Sequence, residues 1–209
     1  MCADSSISLS ADAQGRNALH HCLYDDKDFV LHPTPELVRV LLKAGVNANH
    51  QDRDGLDSLA WYASNLFSNA EVEIMELLIT HGANLNYKDQ SGRNVAHLVM
   101  QCGVEFDLDV LLMLLKYGVD ALEVDYDGRG IVHHAAISGN ITVELLSCLS
   151  ESLHLNIASL DAFGKSAFDC AKDTGREIAK KPWGSNIFRG NRWRDTEKAF
   201  LQYAREYCI

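Results

Sequence analysis

Residues 89–97 read Asp89-Gln90-Ser91-Gly92-Arg93-Asn94-Val95-Ala96-His97, and this stretch decides the fold. An Asp three residues before a Gly marks a turn, because the carboxylate can accept hydrogen bonds from the backbone that follows it. Asn94 is then a helix cap, since a short polar side chain satisfies the open amides of a first helical turn. The pair recurs as Asp12/Gly15, Asp52/Gly55, Asp125/Gly128 and Asp161/Gly164, with spacings along the chain of 40, 37, 36 and 36 residues. After each Gly comes a capped apolar run: Asn17-Ala18-Leu19-His20, Asp57-Ser58-Leu59-Ala60, Gly130-Ile131-Val132-His133 and Ser166-Ala167-Phe168-Asp169. Downstream, Val40-Leu41-Leu42, Leu77-Leu78-Ile79 and Leu114-Leu115 lead to Gly45, Gly82 and Gly118, each a helix stop. The unit therefore reads turn, helix, loop, helix, turn.

The order Asp-x-x-Gly, capped tetrad, then Leu-Leu-x-x-Gly-Ala resembles the ankyrin repeat from about residue 12 to residue 171. The resemblance implies an all-α solenoid of about five helix-loop-helix units with β-hairpin-like turns. Units of 12–51, 52–88, 89–124, 125–160 and 161–180 follow an extension of residues 1–11. Residues 181–209 form a basic loop (181–193) and a C-terminal capping helix. That helix is expected to start at Asp195 or Thr196 and to pack Phe200, Tyr203, Ala204 and Tyr207 on the fifth unit. The family's usual repeat is about 33 residues long, so the surplus is assigned to the loops Asp25–Pro35 and Ser64–Ala70. The fourth unit departs from the pattern, with Leu145-Leu146-Ser147-Cys148-Leu149 in place of a Gly stop. A single unit cannot bury its own apolar face, so the units must stack. The expected core is Leu19, Leu42, Leu59, Leu77, Leu78, Val95, Leu114, Leu115, Ile131, Val132, Leu145, Leu146 and Phe168.

The net charge of -10 is uneven, with 10 Lys+Arg against 24 Asp+Glu in residues 1–171 and 9 against 5 in residues 172–209. An acidic body repels a phosphate backbone, so nucleic acid is not an expected partner. No apolar run suits a membrane span or a secretory signal, which gives the expectation of an intracellular protein, cytoplasmic or nuclear, without membrane insertion. The six cysteines are scattered, so neither a disulfide framework nor a zinc site is expected. Nucleophile-elbow, phosphate-loop, dinucleotide, metalloprotease and EF-hand patterns do not occur. The adjacent pairs His20-His21 and His133-His134 point about 100° apart on a helix and do not chelate one ion. By the resemblance, His20, His97 and His133 tie neighbouring turns together.

These readings give a binding module for another protein, with no cofactor, no metal, no catalytic residue and no need to self-associate. The position after each motif Gly reads Arg16, Leu56, Arg93, Arg129 and Lys165, a ladder of cations with one leucine. The position after the motif histidine reads His21, Trp61, Leu98, His134 and Cys170. With the turn residues Arg53, Tyr126 and Phe163, the expected partner-binding set is Arg53, Leu56, Trp61, Arg93, Tyr126, Arg129, His134, Phe163 and Lys165. Tyr, Trp and Arg dominate interface energies because they bury a large area and keep a polar handle. Trp183, Phe188 and Trp193, interleaved with Arg189, Arg192 and Arg194, are read as a loop folded over the last repeat. Two alternatives stand beside this reading: a regulatory segment of a larger protein, and an enzyme whose groove and 181–193 loop form a pocket of converging ionisable groups.

Overall fold

A computed structural model describes residues 11–23, 33–64, 72–101, 108–179 and 187–207, with backbone only at 179 and 187–191. The described residues form ten helices and a single antiparallel bridge between Leu160 and Ser166. The helices come in pairs: α1 (Ala18–Cys22) with α2 (Pro35–Lys43), α3 (Ser58–Ser64) with α4 (Val72–Thr80), and α5 (Val95–Met100) with α6 (Leu108–Lys116). Next come α7 (Ile131–Ser138) with α8 (Val143–Leu153), and α9 (Ala167–Ala179) with α10 (Ile187–Tyr207). First helices stack in series, α1 on α3, α3 on α5, α5 on α7 and α7 on α9. The stacking buries a continuous apolar core from Leu19 to Tyr203. Of the expected core residues, Leu115 and Phe168 are only partly buried, and the rest lie inside.

The caps explain where the helices begin. Asn17 accepts the amides of Leu19 and His20, Asn94 accepts that of His97, and Asp57 accepts that of Ala60 at 2.9 Å. The stops explain where they end: α2, α4 and α6 run into Gly45, Gly82 and Gly118, whose φ values of +86°, +90° and +94° are costly for any residue with a Cβ. The fourth unit, without that glycine, extends α8 to Leu153 and stops on His154 at φ +51°. Most of the loops 25–35 and 64–70, to which the surplus length is assigned, lies outside the described residues, as do Cys2, Cys102 and Cys208.

Three expectations about the C-terminus are corrected. The helix is already formed at Ile187, and Asp195 and Thr196 sit within it, with Thr196 fully buried. Trp193 belongs to that helix rather than to a loop; it is buried and donates its indole N–H to the Ile137 carbonyl at 3.0 Å. Arg192 bonds Asn140, which in turn donates to the Met100 carbonyl at 2.9 Å. These contacts on α7 and the loop after it fix α10 against the fourth unit. The loop reading fails because Trp193, Thr196, Phe200 and Tyr203 are buried at helical spacing on one face. Because α10 packs on α9, α8 and α7, it is the second helix of unit five rather than a lid laid over a finished array. Phe200 meets Phe168 edge-on at 5.6 Å and Tyr203 donates to Ser150 at 2.6 Å, but Ala204 and Tyr207 face solvent. Trp183 and the side chains of Phe188 and Arg189 lie outside the described residues.

A left-handed His costs about 1 kcal/mol relative to Gly. Replacing His154 with Gly should therefore stabilise the protein by about 1 kcal/mol, read as a rise in the urea midpoint with an unchanged slope.

Candidate partner-binding surface

Each Asp-x-x-Gly segment forms a finger with the same hydrogen bonds. One carboxylate oxygen, Oδ1, accepts two backbone amides, those of the residues two and four positions on. The pairs are Gln14 and Arg16 on Asp12, Asp54 and Leu56 on Asp52, Ser91 and Arg93 on Asp89, Asp127 and Arg129 on Asp125, and Phe163 and Lys165 on Asp161. All ten distances are 2.8–2.9 Å. The Gly amide closes the turn on the Asp carbonyl, and the Asp amide donates to the carbonyl of the residue after the Gly. Asp12 shows the electrostatic result: burial would raise its pKa, but the Arg16 and Gln14 amides and the Arg16 side chain hold it down at about 2.

Three of the four joints between consecutive units are fastened at the same level. The amides of Arg53, Tyr126 and Ala162 donate to the carbonyls of Gln14, Ser91 and Asp127 in the preceding finger. His20 Nε2 donates to the Leu56 carbonyl at 3.0 Å, and His133 Nε2 to the Lys165 carbonyl at 3.2 Å. The His20 Nδ1 lies 2.7 Å from the Asn17 side-chain oxygen and 3.3 Å from the Asn17 amide nitrogen, so the ring also braces its own helix cap. His20, His97 and His133 all titrate below the ordinary histidine value because burial penalises the imidazolium.

Residues 29–125 match the family model for ankyrin repeats (3 copies). A search of curated proteins found no match to the chain. The matched span is built of ankyrin repeats. Its ankyrin fingers recur at Asp12 and Asp161 with the bonds found inside the matched span, so the repeat geometry runs beyond that span on both sides.

The ankyrin geometry sorts the candidate site residues into two groups. Most of the ladder is spent inside the array. Arg16 pairs with Asp12, and Arg93 with Asp89. Arg129 pairs with Asp127 and Asp161, and Lys165 with Asp173. Leu56 is half-buried against the core, and its carbonyl receives His20. The column after the motif histidine also turns inward, onto the second carboxylate oxygen, Oδ2, of its own finger. His21 reaches Asp12 at 3.0 Å, His134 reaches Asp125 at 2.9 Å, and Cys170 reaches Asp161 at 3.9 Å. His134, expected at the binding surface, is thus a correction: it is buried and braces a turn. Its ring is the end of a chain in which Arg93 donates to Gln101 Oε1 at 2.5 Å and Gln101 Nε2 donates to His134 Nδ1 at 2.7 Å. That donor fixes the Nε2–H tautomer on Asp125. Each adjacent histidine pair is divided between different partners, so neither converges on one point. Trp61 is half-buried, edge-on to His20 at 5.8 Å and with Arg16 5.9 Å from its ring centre, so it fills the step between units one and two.

Arg53, Tyr126 and Phe163 remain outside. Tyr126 is 77% exposed and Phe163 63% exposed. Each aromatic leans on the preceding unit: a Cβ at Gly92 would lie 2.6 Å from the Tyr126 ring, and the Arg129 guanidinium stands 5.5 Å from the Phe163 ring centre. Leu122, Val124 and Leu160, on the approach to the same two fingers, are also exposed. Residue type missed them, but a column shows two of them: the residue before each finger Asp reads Ala11, Gln51, Lys88, Val124 and Leu160, so large apolar residues stand only before the last two fingers. A cavity of about 420 Å³ opens between α8, residues 155–158, Phe168 and α10. Its lining, chiefly Leu155, Ile157, Phe168, Phe200 and Leu201, holds no carboxylate, imidazole or amine to serve catalysis. No described helix is long and apolar enough to cross a membrane.

Asp125→Ala should cost on the order of 2–4 kcal/mol, because it strands two turn amides and the His134 donor together; denaturant unfolding reads this. Burial also lowers the His134 pKa, so this ring and the other three histidines take up a proton more readily in the unfolded chain than in the fold. The stability these rings contribute is therefore complete above their unfolded value of about 6.5 and is lost as pH falls below it. Urea midpoints should drop between pH 7 and pH 5, and the drop should be smaller in His134→Gln.

Proposed function

We propose that the protein binds a partner protein through an apolar ridge on fingers four and five, made by Leu122, Val124, Tyr126, Leu160 and Phe163, with Arg129 and Arg53 contributing polar contacts. The observation that carries this reading is the exposure of two aromatic side chains already held in place by the preceding unit. Ankyrin repeats generally mediate protein–protein interaction, and an exposed apolar cluster rimmed by polar residues is the usual mark of such a surface. A pre-positioned aromatic loses little entropy on binding, so more of its buried area appears as affinity. The ladder cations Arg93 and Lys165 serve the turns first, and Leu56, Trp61 and His134 serve packing. The ridge of the monomeric chain fits an apolar-faced segment of another protein, and the acidic body disfavours nucleic acid. We read the chain as a binding module without catalysis or cofactor.

The test is a Tyr126→Ala/Phe163→Ala variant, used first in affinity capture from native extract and then in titration against the partner so identified. Affinity should fall by roughly 10- to 100-fold with an unchanged unfolding midpoint. A Leu201→Ala/Tyr207→Ala control on α10 should bind as the wild type does. Unchanged binding by the finger variant, or loss by the α10 control, would remove the ridge from the interface.

A further inference from the structure

Three contacts fasten an ankyrin unit to the finger that follows it. The first is the N-cap amide: Asn17 Nδ2 donates to the Asn47 carbonyl at 2.9 Å, and Asn94 Nδ2 to the Asp120 carbonyl at 2.8 Å, in each case five residues before the next finger Asp. The second is the motif histidine, as His20 on Leu56 and His133 on Lys165. The third is the finger-to-finger amide, as in Arg53 on Gln14 and Tyr126 on Ser91.

Among the described residues, the joint between units two and three has none of the three. Ala60 stands at the histidine position, and no bond joins the Gln90 amide to the Asp54 carbonyl. The N-cap is Asp57, which has no amide to donate. Gly55 shows the gap directly. A Cβ there would meet nothing within 4 Å, whereas at Gly15, Gly92 and Gly128 it would touch the next finger.

Asp57 is nonetheless 2% exposed, and the Ser58 and Tyr87 hydroxyls beside this joint are buried without a hydrogen-bond partner. The residue equivalent to Asn47 and Asp120 is Asn84, five before Asp89. We propose that the buried Asp57 carboxyl is a proton-operated tie from the start of α3 to the Asn84 loop that leads into the third ankyrin finger. Protonated, its O–H donates to the Asn84 carbonyl as the Asn17 and Asn94 amides do in their own units. Ionised, it offers only oxygens, and that tie is lost. The charged groups around the joint are Asp52, Asp57 and Asp89, which raise the Tyr87 pKa, and Arg93, which lowers it. Burial pushes the Asp57 carboxyl up to about 6, against the pull of the Ala60 and Leu59 amides. Protonation in the folded state thus falls away as pH rises through about 6, and the joint loosens toward neutral and higher pH. This behaviour is independent of the ridge on fingers four and five.

The experiment places spin labels, through non-canonical residues, at the exposed positions Arg53 and Gln90 of the full chain and measures their distance distribution from pH 5 to pH 8. The wild type should give a narrow distribution at pH 5 that broadens with a midpoint near pH 6. Asp57→Asn, whose amide donates at every pH, should stay narrow throughout, and a label pair at Gln90 and Asp127 should not respond. A wild-type distribution that is constant with pH, or an Asp57→Asn variant that broadens like the wild type, would overturn the proposal. Asp57→Asn keeps the helix cap, so its folding, checked by circular dichroism, does not depend on the outcome.

Discussion

A carboxylate oxygen that accepts two backbone amides from its own turn is the constraint on which the rest of this protein depends. Such bonds to an ionised acceptor are stronger than neutral ones, and they fix the finger without help from a neighbour. Once Asp Oδ1 holds the amides two and four residues on, the Gly is driven to positive φ and the helix cap lies where the next helix must start. The carbonyl after the Gly is set where the preceding unit's histidine can find it. The second oxygen is left over, and in four of the five fingers it is satisfied in different ways: with Arg16 and His21 in the first finger, Arg93 in the third, His134 in the fourth, and Arg129 with Cys170 in the fifth. Uniform backbone geometry and variable side chains thus arise from the two oxygens of one group.

The same economy decides which residues are available to a partner. Basic side chains next to a finger are drawn to its carboxylate, so a column that reads as a cationic recognition surface is largely consumed in holding the array together. Aromatic residues at the finger positions have no such internal demand. Tyr126 and Phe163 each rest on the preceding unit without being covered by it, and this leaves a preformed apolar ridge on fingers four and five.

The joints between units are unequal for an equally simple reason. A histidine at the third helical position can reach across to the next finger, but alanine cannot, and Asp169 in the last unit turns back onto its own Ser166 at 2.6 Å. Unit five therefore ends with its polar group satisfied locally, while unit two, with Ala60 and Asp57, faces its neighbour with little to offer unless Asp57 carries a proton. Local substitutions at two positions of a shared motif separate a terminal unit, a loose joint and a tight one.

The amino-acid sequence by itself determined what local chemistry controls. Asp-x-x-Gly named all five fingers, the polar caps named the helix starts, and Gly45, Gly82 and Gly118 named three helix ends, because each of these depends on atoms within a few residues. It also indicated that Tyr126 and Phe163 lie on the finger surface, since a turn position has little core to join. Only the tertiary structure decided where the second bond of each side chain goes. His134 resembles a surface imidazole in sequence, but the fold buries it between Gln101 and Asp125, residues 33 and 9 positions away. Residues 187–194 resemble a loop because their apolar members are few, yet they are helical because Trp193 finds the Ile137 carbonyl of another unit. Burial and long-range pairing depend on which units come side by side, and a short-range pattern does not encode that placement residue by residue.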